Sequence, residues 1–355
     1  GTLRITSGVT LTIAQGAVLR FDGAANTLLN EGALLIQGTE NNPAILTSGQ
    51  EAPAVGDWGG IVSAVTASMT VIQYAEISYA NYGVSFAPGS SLTGTIACDT
   101  LCVKNSLLEF NNTGLFIDGS EPWVERNVIQ YNLDDGIYLN NASPNILTNT
   151  IRVNGNNGAN DAGIDIRGTS SPSITDGNQI SGNSRYGIYV YGSQTSGGDP
   201  APVITGNGIY DNTNYDFYAY NFFDAANVTL DLTANWWGTT DPAVIASRVY
   251  DNADSGTLAP VADTSNYVTD PVTLGLVLLQ NVTQNLTTIR PYDGDTLDIN
   301  FDLVAVQANV VLKILTESDR QLVYESTPQL LTAGSQVLSW DGRDIASNYV
   351  SDEAY

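Results

Sequence analysis

The chain has 355 residues, of which 43% are hydrophobic and only 14% are charged. This length suits one large repeat domain followed by a smaller module. The formal net charge of −25 repels phosphate groups, so neither a nucleic acid nor an anionic membrane surface is an expected partner. The chain contains no His, which excludes Ser-His-Asp and Cys-His catalysis and His-based metal sites. No apolar run approaches about 18 residues, so no membrane insertion is expected.

The N-terminal stretch predicts short strands that are separated by glycine turns. Apolar and polar residues alternate in residues 3–5, 11–13, 18–21 and 34–36, with Gly residues between these runs. Period-two alternation of this kind is typical of strands that bury one face. The pattern continues through residues 56–61 and then through residues 72–77.

Cys98 and Cys102 are the only two cysteines of the chain. In an extended segment their Cα atoms would lie roughly 13 Å apart, which is too far for a disulfide, whereas a tight turn would bring them within range. The sequence therefore leaves a local disulfide and two buried thiols as alternatives. The acidic charge and the many Thr, Asn and Gly residues indicate an extracellular protein located at the cell surface or secreted.

An internal repeat lies between residues 105 and 220. Asparagines recur at steps of 22, 22, 29 and 29 residues, namely Asn105, Asn127, Asn149, Asn178 and Asn207. A period of about 20–30 residues with three short strands per unit predicts a parallel β-helix. We expect the repeated asparagines to form a ladder of amide hydrogen bonds. The simpler interpretation is that each asparagine only supplies a left-handed turn.

The segment Asn235-Trp236-Trp237-Gly238 resembles the closing segment of secreted right-handed parallel β-helix proteins of the pectin-lyase-like superfamily. Residues 8–21 and segments of residues 32–62 are similar to the opening coils of the same proteins. The resemblance covers residues 1–268 and implies a right-handed parallel β-helix there. It implies no single activity, because this fold is found in lyases, hydrolases, epimerases, adhesins and spacers. The hydrolases of the superfamily use clustered Asp with a nearby His, which this chain lacks.

The repeat is lost in residues 269–355. Residues 297–303 and 310–315 alternate as the strands of a sandwich do. Residues 339–344, Ser-Trp-Asp-Gly-Arg-Asp, resemble the Ig-like domain of flagellar hook-capping proteins. That family has a further strand after the last aromatic residue, whereas this sequence stops at Tyr355. The resemblance therefore implies an all-β chain that ends in a small Ig-like β-sandwich without its last strand.

The strand phase predicts two columns of side chains on one outer face of the rod. If Ile137 and Leu139 point inward, Tyr138 and Asn140 point outward. The first column then holds Phe116, Tyr138, Asp165, Tyr189 and Tyr218, and the second holds Asp118, Asn140, Arg167, Tyr191 and Tyr220. We interpret the aromatic members as a binding or assembly face that packs against protein chains or stacks on sugar rings. Tyrosine is also common on any sheet face, so ordinary strand composition is the alternative.

A lyase-like site is a second interpretation of the same face. Lyases of the superfamily use calcium-binding acids with an Arg or Lys base, and the comparable residues here are Asp134, Asp135, Asp161, Asp165 and Arg167. Their spacing is not diagnostic, because Asp is common in turns. We expect no metal site and no cofactor, apart from calcium held loosely by the acidic turns.

These observations favour a non-enzymatic extracellular structural or adhesive protein. Its expected partners are other copies of itself or other surface proteins. The alternative is a carbohydrate-binding or lyase-like protein that acts on an extracellular polysaccharide. A passive spacer within a longer surface protein is a third interpretation.

Overall fold

A computed structural model describes residues 1–89, 92–156, 158, 160–271, 279–316 and 322–350. The chain divides into two compact units, Gly1–Asp270 and Pro271–Tyr355. No helix in the described ranges is long and apolar enough to cross a membrane.

The first unit is a parallel β-helix made of three sheets. Each of the first eight coils contributes one strand to sheet A, then one to sheet B and one to sheet C, and equivalent strands of successive coils pair in parallel. Sheet A continues with two more strands. The register keeps equivalent positions together, so Ile137 pairs with Ile164 and Ile164 pairs with Ile188. All three side chains are fully buried. The inward residues of successive coils therefore stack into one continuous apolar core.

The strands of each sheet stack in the order in which they occur along the chain. Sheet A contains Leu3–Ile5, Thr27–Asn30, Trp58–Ser63, Ala80–Phe86, Thr113–Asp118, Ile137–Asn140, Ala162–Arg167, Tyr186–Tyr191, Tyr215–Tyr220 and Val249–Tyr250. Sheet B contains Thr10–Ala14, Ala33–Gln37, Met69–Gln73, Leu101–Lys104, Trp123–Glu125, Asn145–Leu147, Ser173–Thr175 and Val203–Ile204. Sheet C contains Val18–Phe21, Ala44–Ser48, Ala75–Ser78, Leu107–Glu109, Val128–Gln130, Thr150–Arg152, Gln179–Ser181 and Gly208–Tyr210.

The predicted asparagine ladder lies at the corner between sheets B and C. Its members are Asn127, Asn149, Asn178, Asn207 and Asn235. In each step the Nδ2 atom donates to the Oδ1 atom of the next asparagine, as from Asn127 to Asn149 at 3.0 Å. The same Oδ1 accepts the backbone N–H of Asn127 at 2.9 Å. The ladder prediction is thus confirmed, except that Ser106 rather than Asn105 occupies the first position.

The left-handed turn lies one residue before each ladder position. Asn105, Arg126 and Thr148 have φ angles of 51°, 55° and 51°, and each immediately precedes a ladder residue. The interpretation of Asn127 and Asn149 as left-handed turn residues is therefore wrong. Asn105 is such a turn residue, which explains why its side chain is not part of the ladder.

A second ladder, which was not predicted, lies at the corner between sheets C and A. Its members are Asn111, Asn132, Asn154, Asn183 and Asn212. It ends at Asp216, whose Oδ1 accepts from Asn212 Nδ2 at 2.9 Å. The last member of the ladder only has to accept hydrogen bonds, so a carboxylate can take this position. Arg248 compensates its charge through Nε, 3.2 Å from Asp216 Oδ2.

Residues 72–77 cross from one sheet to the next. Gln73 ends a strand of sheet B and Ala75 begins a strand of sheet C. Tyr74, with a φ of 50°, forms the corner between them. The corner shifts the alternation by one residue, since Ile72 before it and Ala75 and Ile77 after it all lie in the core.

The Trp236-Trp237 segment covers the C-terminal end of the core. Both rings are buried, and the 3-10 turn Ala225–Asn227 precedes them. The short helix Pro242–Arg248 follows, with Asp241 accepting from the backbone N–H of Ala243 at its start. The chain then returns to sheet A as Val249–Tyr250, and Thr229–Asp231 pairs in parallel with Val261–Asp263.

The second unit is a small antiparallel β structure. Leu297–Val310 pairs with Leu279–Gln284 and with Gln329–Trp340, and Lys313–Leu315 pairs with Leu322–Glu325. Its described core contains Phe301, Leu303 and Leu338. The expected strand 310–315 is divided, because the first strand extends to Val310 and the next begins at Lys313. The prediction that the sandwich lacks its last strand concerns what would follow Tyr355 and stays a prediction; residues 351–355 lie outside the described residues.

Candidate functional site

The outer face of sheet A collects the residues that the sequence predicted for a binding face. Strand register joins Phe116, Tyr138, Asp165, Tyr189 and Tyr218 into one column and Asp118, Asn140, Arg167, Tyr191 and Tyr220 into another. The structure adds Tyr250, which pairs with Tyr218. No periodic signal in the sequence pointed to Tyr250, because the helix Pro242–Arg248 interrupts the repeat before it.

The aromatic rings of this face stack along the rod. The ring centroids of Phe116 and Tyr138 lie 5.1 Å apart with an angle of 4° between the planes, and those of Tyr218 and Tyr250 lie 4.3 Å apart at 20°. Tyr189 and Tyr218 continue the stack at 5.6 Å. Because the rings face one another, each covers the face of its neighbour. The face therefore presents ring edges and hydroxyl groups more than the open ring faces on which sugars stack.

One coil interrupts the aromatic column with a charged pair. Asp165 occupies the position between Tyr138 and Tyr189, and Arg167 Nη2 lies 2.8 Å from its Oδ2 atom. Arg167 Nε donates to Asp165 Oδ1 at 3.0 Å. The guanidinium carbon lies 5.6 Å from each of the ring centroids of Tyr138, Tyr189 and Tyr191. The planar cation thus fills the place of the missing ring in the stack.

Burial controls the protonation of the acids below this face. It raises the pKa of Asp165 to about 6, although the hydrogen bonds and charge of Arg167 act in the opposite direction. Burial also raises the pKa of Asp135 well above its usual range, and the charge of Asp165 adds to this increase. The backbone N–H of Ala162 donates to Asp135 Oδ1 at 2.8 Å, and this hydrogen bond partly offsets the rise in the pKa. Both carboxyls therefore retain protons at a higher pH than an exposed Asp does.

The other members of the lyase-like set bond to separate partners. Asp134 Oδ2 accepts from Asn112 Nδ2 at 2.9 Å, and Asp161 Oδ2 accepts from the backbone N–H of Gly158 at 2.7 Å. Asp161 is buried. In the described part of the chain, no three Asp, Glu, Cys or His side chains are arranged to hold a metal ion. Within the set, Asp165 pairs directly with Arg167, Asp135 and Asp161 are buried, and Asp134 is half-buried.

Cys98 and Cys102 form a disulfide across a tight turn, with their Cα atoms 5.3 Å apart. Cys98 has a φ of 54°, which provides the turn that an extended segment lacks. The disulfide packs with Val71 and Trp123 on the outside of sheet B. It is separate from the tyrosine face on sheet A.

A second aromatic stack was missed from the sequence. Tyr79, Phe110 and Tyr131 occupy the left-handed corner position between sheets C and A, with centroid distances of 5.6 and 5.5 Å. Phe110 and Tyr131 are exposed. The sequence contains a signal for this stack, because Phe110 and Tyr131 each immediately precede an asparagine of the second ladder.

Comparison with known proteins supports the fold and is silent on activity. Residues 59–232 match the family model described as "Right handed beta helix region". No curated protein matches the chain, and no solved structure matches it. The matched residues lie within the parallel sheets of the first unit, which begin at Leu3. The chain therefore contains a right-handed parallel β-helix, as the sequence predicted, followed by a small antiparallel β unit.

Proposed function

We propose that this protein is a non-enzymatic structural or adhesive component of the extracellular space. The observation that supports the proposal is the internal bonding of the acids below the tyrosine face. Asp165 is 1% exposed and binds Arg167 through both carboxylate oxygens. Asp135 and Asp161 are also buried and accept backbone N–H groups of the chain. Acids that are buried and bonded within the chain are poorly placed for catalysis, because a general acid or base must reach the proton that it transfers.

The contact surface of this proposal is the half-buried tyrosine face of sheet A, formed by Tyr138, Tyr191, Tyr218 and Tyr220. The whole chain carries a charge of −25, so most of its surface repels a second copy. A patch of neutral phenol groups lowers that repulsion locally. Tyrosine is also enriched at the centres of protein interfaces. Other copies of the chain and other surface proteins are therefore the proposed partners.

The same proposal assigns roles to the disulfide, to the second unit and to the acidic surface. A disulfide such as Cys98–Cys102 persists in oxidising compartments, which supports secretion. We place the rod in the pectin-lyase-like superfamily and interpret the second unit as an Ig-like docking module. Calcium would bind only loosely to the acidic surface and would act as a bridge between copies.

The test is the assembly state of the purified chain with and without calcium, measured by sizing chromatography and negative-stain microscopy. We expect ordered assemblies or concentration-dependent oligomers. The double variant Tyr191→Ser/Tyr220→Ser should reduce them, whereas the control Tyr131→Ser, at the corner between sheets C and A and outside the tyrosine face, should not. Monomeric rods under all conditions, together with no retention on cell-surface extracts, would contradict the proposal.

An alternative function is the binding or cleavage of an extracellular polysaccharide. The observation in its favour is Arg167, whose side chain is 32% exposed and lies between the half-buried Tyr138 and Tyr191. Such a group pairs with carboxylate-bearing sugars. Retention and product release should be measured with alginate, which is acidic, and dextran, which is neutral. Turnover that is lost in Asp165→Asn would replace the non-enzymatic proposal with this one.

A further inference from the structure

Two exposed tyrosine rings of the second unit lie against each other. Tyr292, in the 3-10 turn Pro291–Asp293, is 78% exposed, and Tyr349 is 36% exposed. Their ring centroids are 4.5 Å apart and the planes are inclined at 43°. Among the described residues, no other contact between two tyrosine rings has both rings exposed. A small oxidant in solution therefore reaches this pair more readily than the stacked tyrosines of sheet A.

Arg343 holds the Tyr349 ring in position. Its Nη2 atom donates to Tyr349 Oη at 2.8 Å, and its guanidinium carbon lies 4.1 Å from the ring centroid. The Nη1 atom donates to the backbone oxygen of Ser347 at 2.9 Å, which fixes the guanidinium relative to the same loop. Two reacting groups that are held in contact behave as if each were present at a very high local concentration. Coupling within the chain should therefore be faster than coupling between chains.

We propose that Tyr292 and Tyr349 are an oxidative cross-linking site that forms an intramolecular dityrosine. The oxidant is hydrogen peroxide acting through a peroxidase, which removes one electron from each phenol while each phenolic proton passes to water. The two radicals form one carbon–carbon bond between ring carbons ortho to the hydroxyl groups. The hydrogen on each bonded carbon then returns to the phenolic oxygen. In total the protein loses two hydrogen atoms and one peroxide becomes two waters.

The cross-link would close a long loop of the second unit. Tyr292 and Tyr349 are 57 positions apart in the sequence, and no described strand pairing joins their segments. A covalent bond across such a loop restricts the unfolded chain more than the folded chain. The second unit should therefore unfold at a higher temperature after oxidation. This outcome does not depend on whether sheet A binds a partner.

The experiment treats the full chain, at low concentration, with a peroxidase and hydrogen peroxide. We expect dityrosine fluorescence, a monomer that has lost two hydrogen atoms by mass, and a cross-linked peptide pair that contains Tyr292 and Tyr349. The thermal midpoint reported by Trp340, in the second unit, should rise. Tyr292→Phe and Tyr349→Phe keep the ring packing and should each abolish the product.

Tyr131→Phe is the matched control, because Tyr131 is exposed but stacks on a phenylalanine instead of a tyrosine. It should leave the yield unchanged. The proposal is overturned if no dityrosine forms, if the product maps to other tyrosines or only joins separate chains, or if Tyr349→Phe retains the full yield.

Discussion

The substitution Asn149→Ala tests whether the asparagine ladder stabilises the rod. Asn149 is buried at the middle of the ladder and makes five side-chain hydrogen bonds. Its Nδ2 atom donates to the backbone oxygens of Val124 and Leu147 and to Asn178 Oδ1, each at 3.0 Å. Its Oδ1 atom accepts from the backbone N–H and from the Nδ2 atom of Asn127.

Alanine would leave the backbone N–H of Asn127 buried without its acceptor. An unsatisfied buried donor costs about 1–3 kcal/mol, and the carbonyl oxygens of Val124 and Leu147 each lose a donor as well. With the small cavity that remains, we expect the free energy of unfolding to fall by about 4 kcal/mol. The loss should appear mainly in the first unit, because each coil of a solenoid contacts only its neighbours.

The assay is urea unfolding followed by tryptophan fluorescence, with the midpoint and slope compared between variants. Four of the five tryptophans, Trp58, Trp123, Trp236 and Trp237, lie in the first unit. The matched control is Asn145→Ala, an outward residue of the same coil whose side chain makes no hydrogen bond within the described residues. It should change stability by less than about 0.5 kcal/mol. A difference below about 1 kcal/mol between the two variants would refute the reasoning about the ladder.

Three further substitutions test other parts of the structure. Asp135→Asn keeps the acceptor for the Ala162 N–H and removes a buried charge. The folded pKa of Asp135 is raised, so folding takes up a proton and stability falls as pH rises through that pKa. In urea unfolding, the variant should therefore be more stable than the wild type at pH 8 and equal to it at pH 4. A stability difference that is the same at both pH values would contradict this prediction. Arg248→Gln leaves the buried Asp216 without its partner and should cost about 3 kcal/mol, while adding Asp216→Asn should restore most of this loss. Thr148→Gly should raise the unfolding free energy by about 0.5–1 kcal/mol, because a β-branched residue is strained at a φ of 51°.

The sequence determined the repeat, and the repeat determined most of the first unit. Strict alternation and the recurring Asn and Gly residues are local signals, and a coil of a solenoid contacts only adjacent coils, so local periodicity suffices to define register. This is why the columns through Tyr138 and Arg167 on sheet A could be predicted from the sequence alone. The position of the ladder was wrong by one residue in its first coil, because asparagine suits both the ladder position and the left-handed corner beside it.

Only the tertiary structure decided what the outward side chains do. Tyr250 returns to sheet A after the helix Pro242–Arg248, which follows no period. The pairing of Arg167 with Asp165 is a contact between two side chains of one strand, which periodicity does not specify. The contact between Tyr292 and Tyr349 joins two loops of the second unit that are distant in sequence. Periodicity defines which face a residue occupies, whereas burial and bonding of a side chain depend on the segments that cover that face.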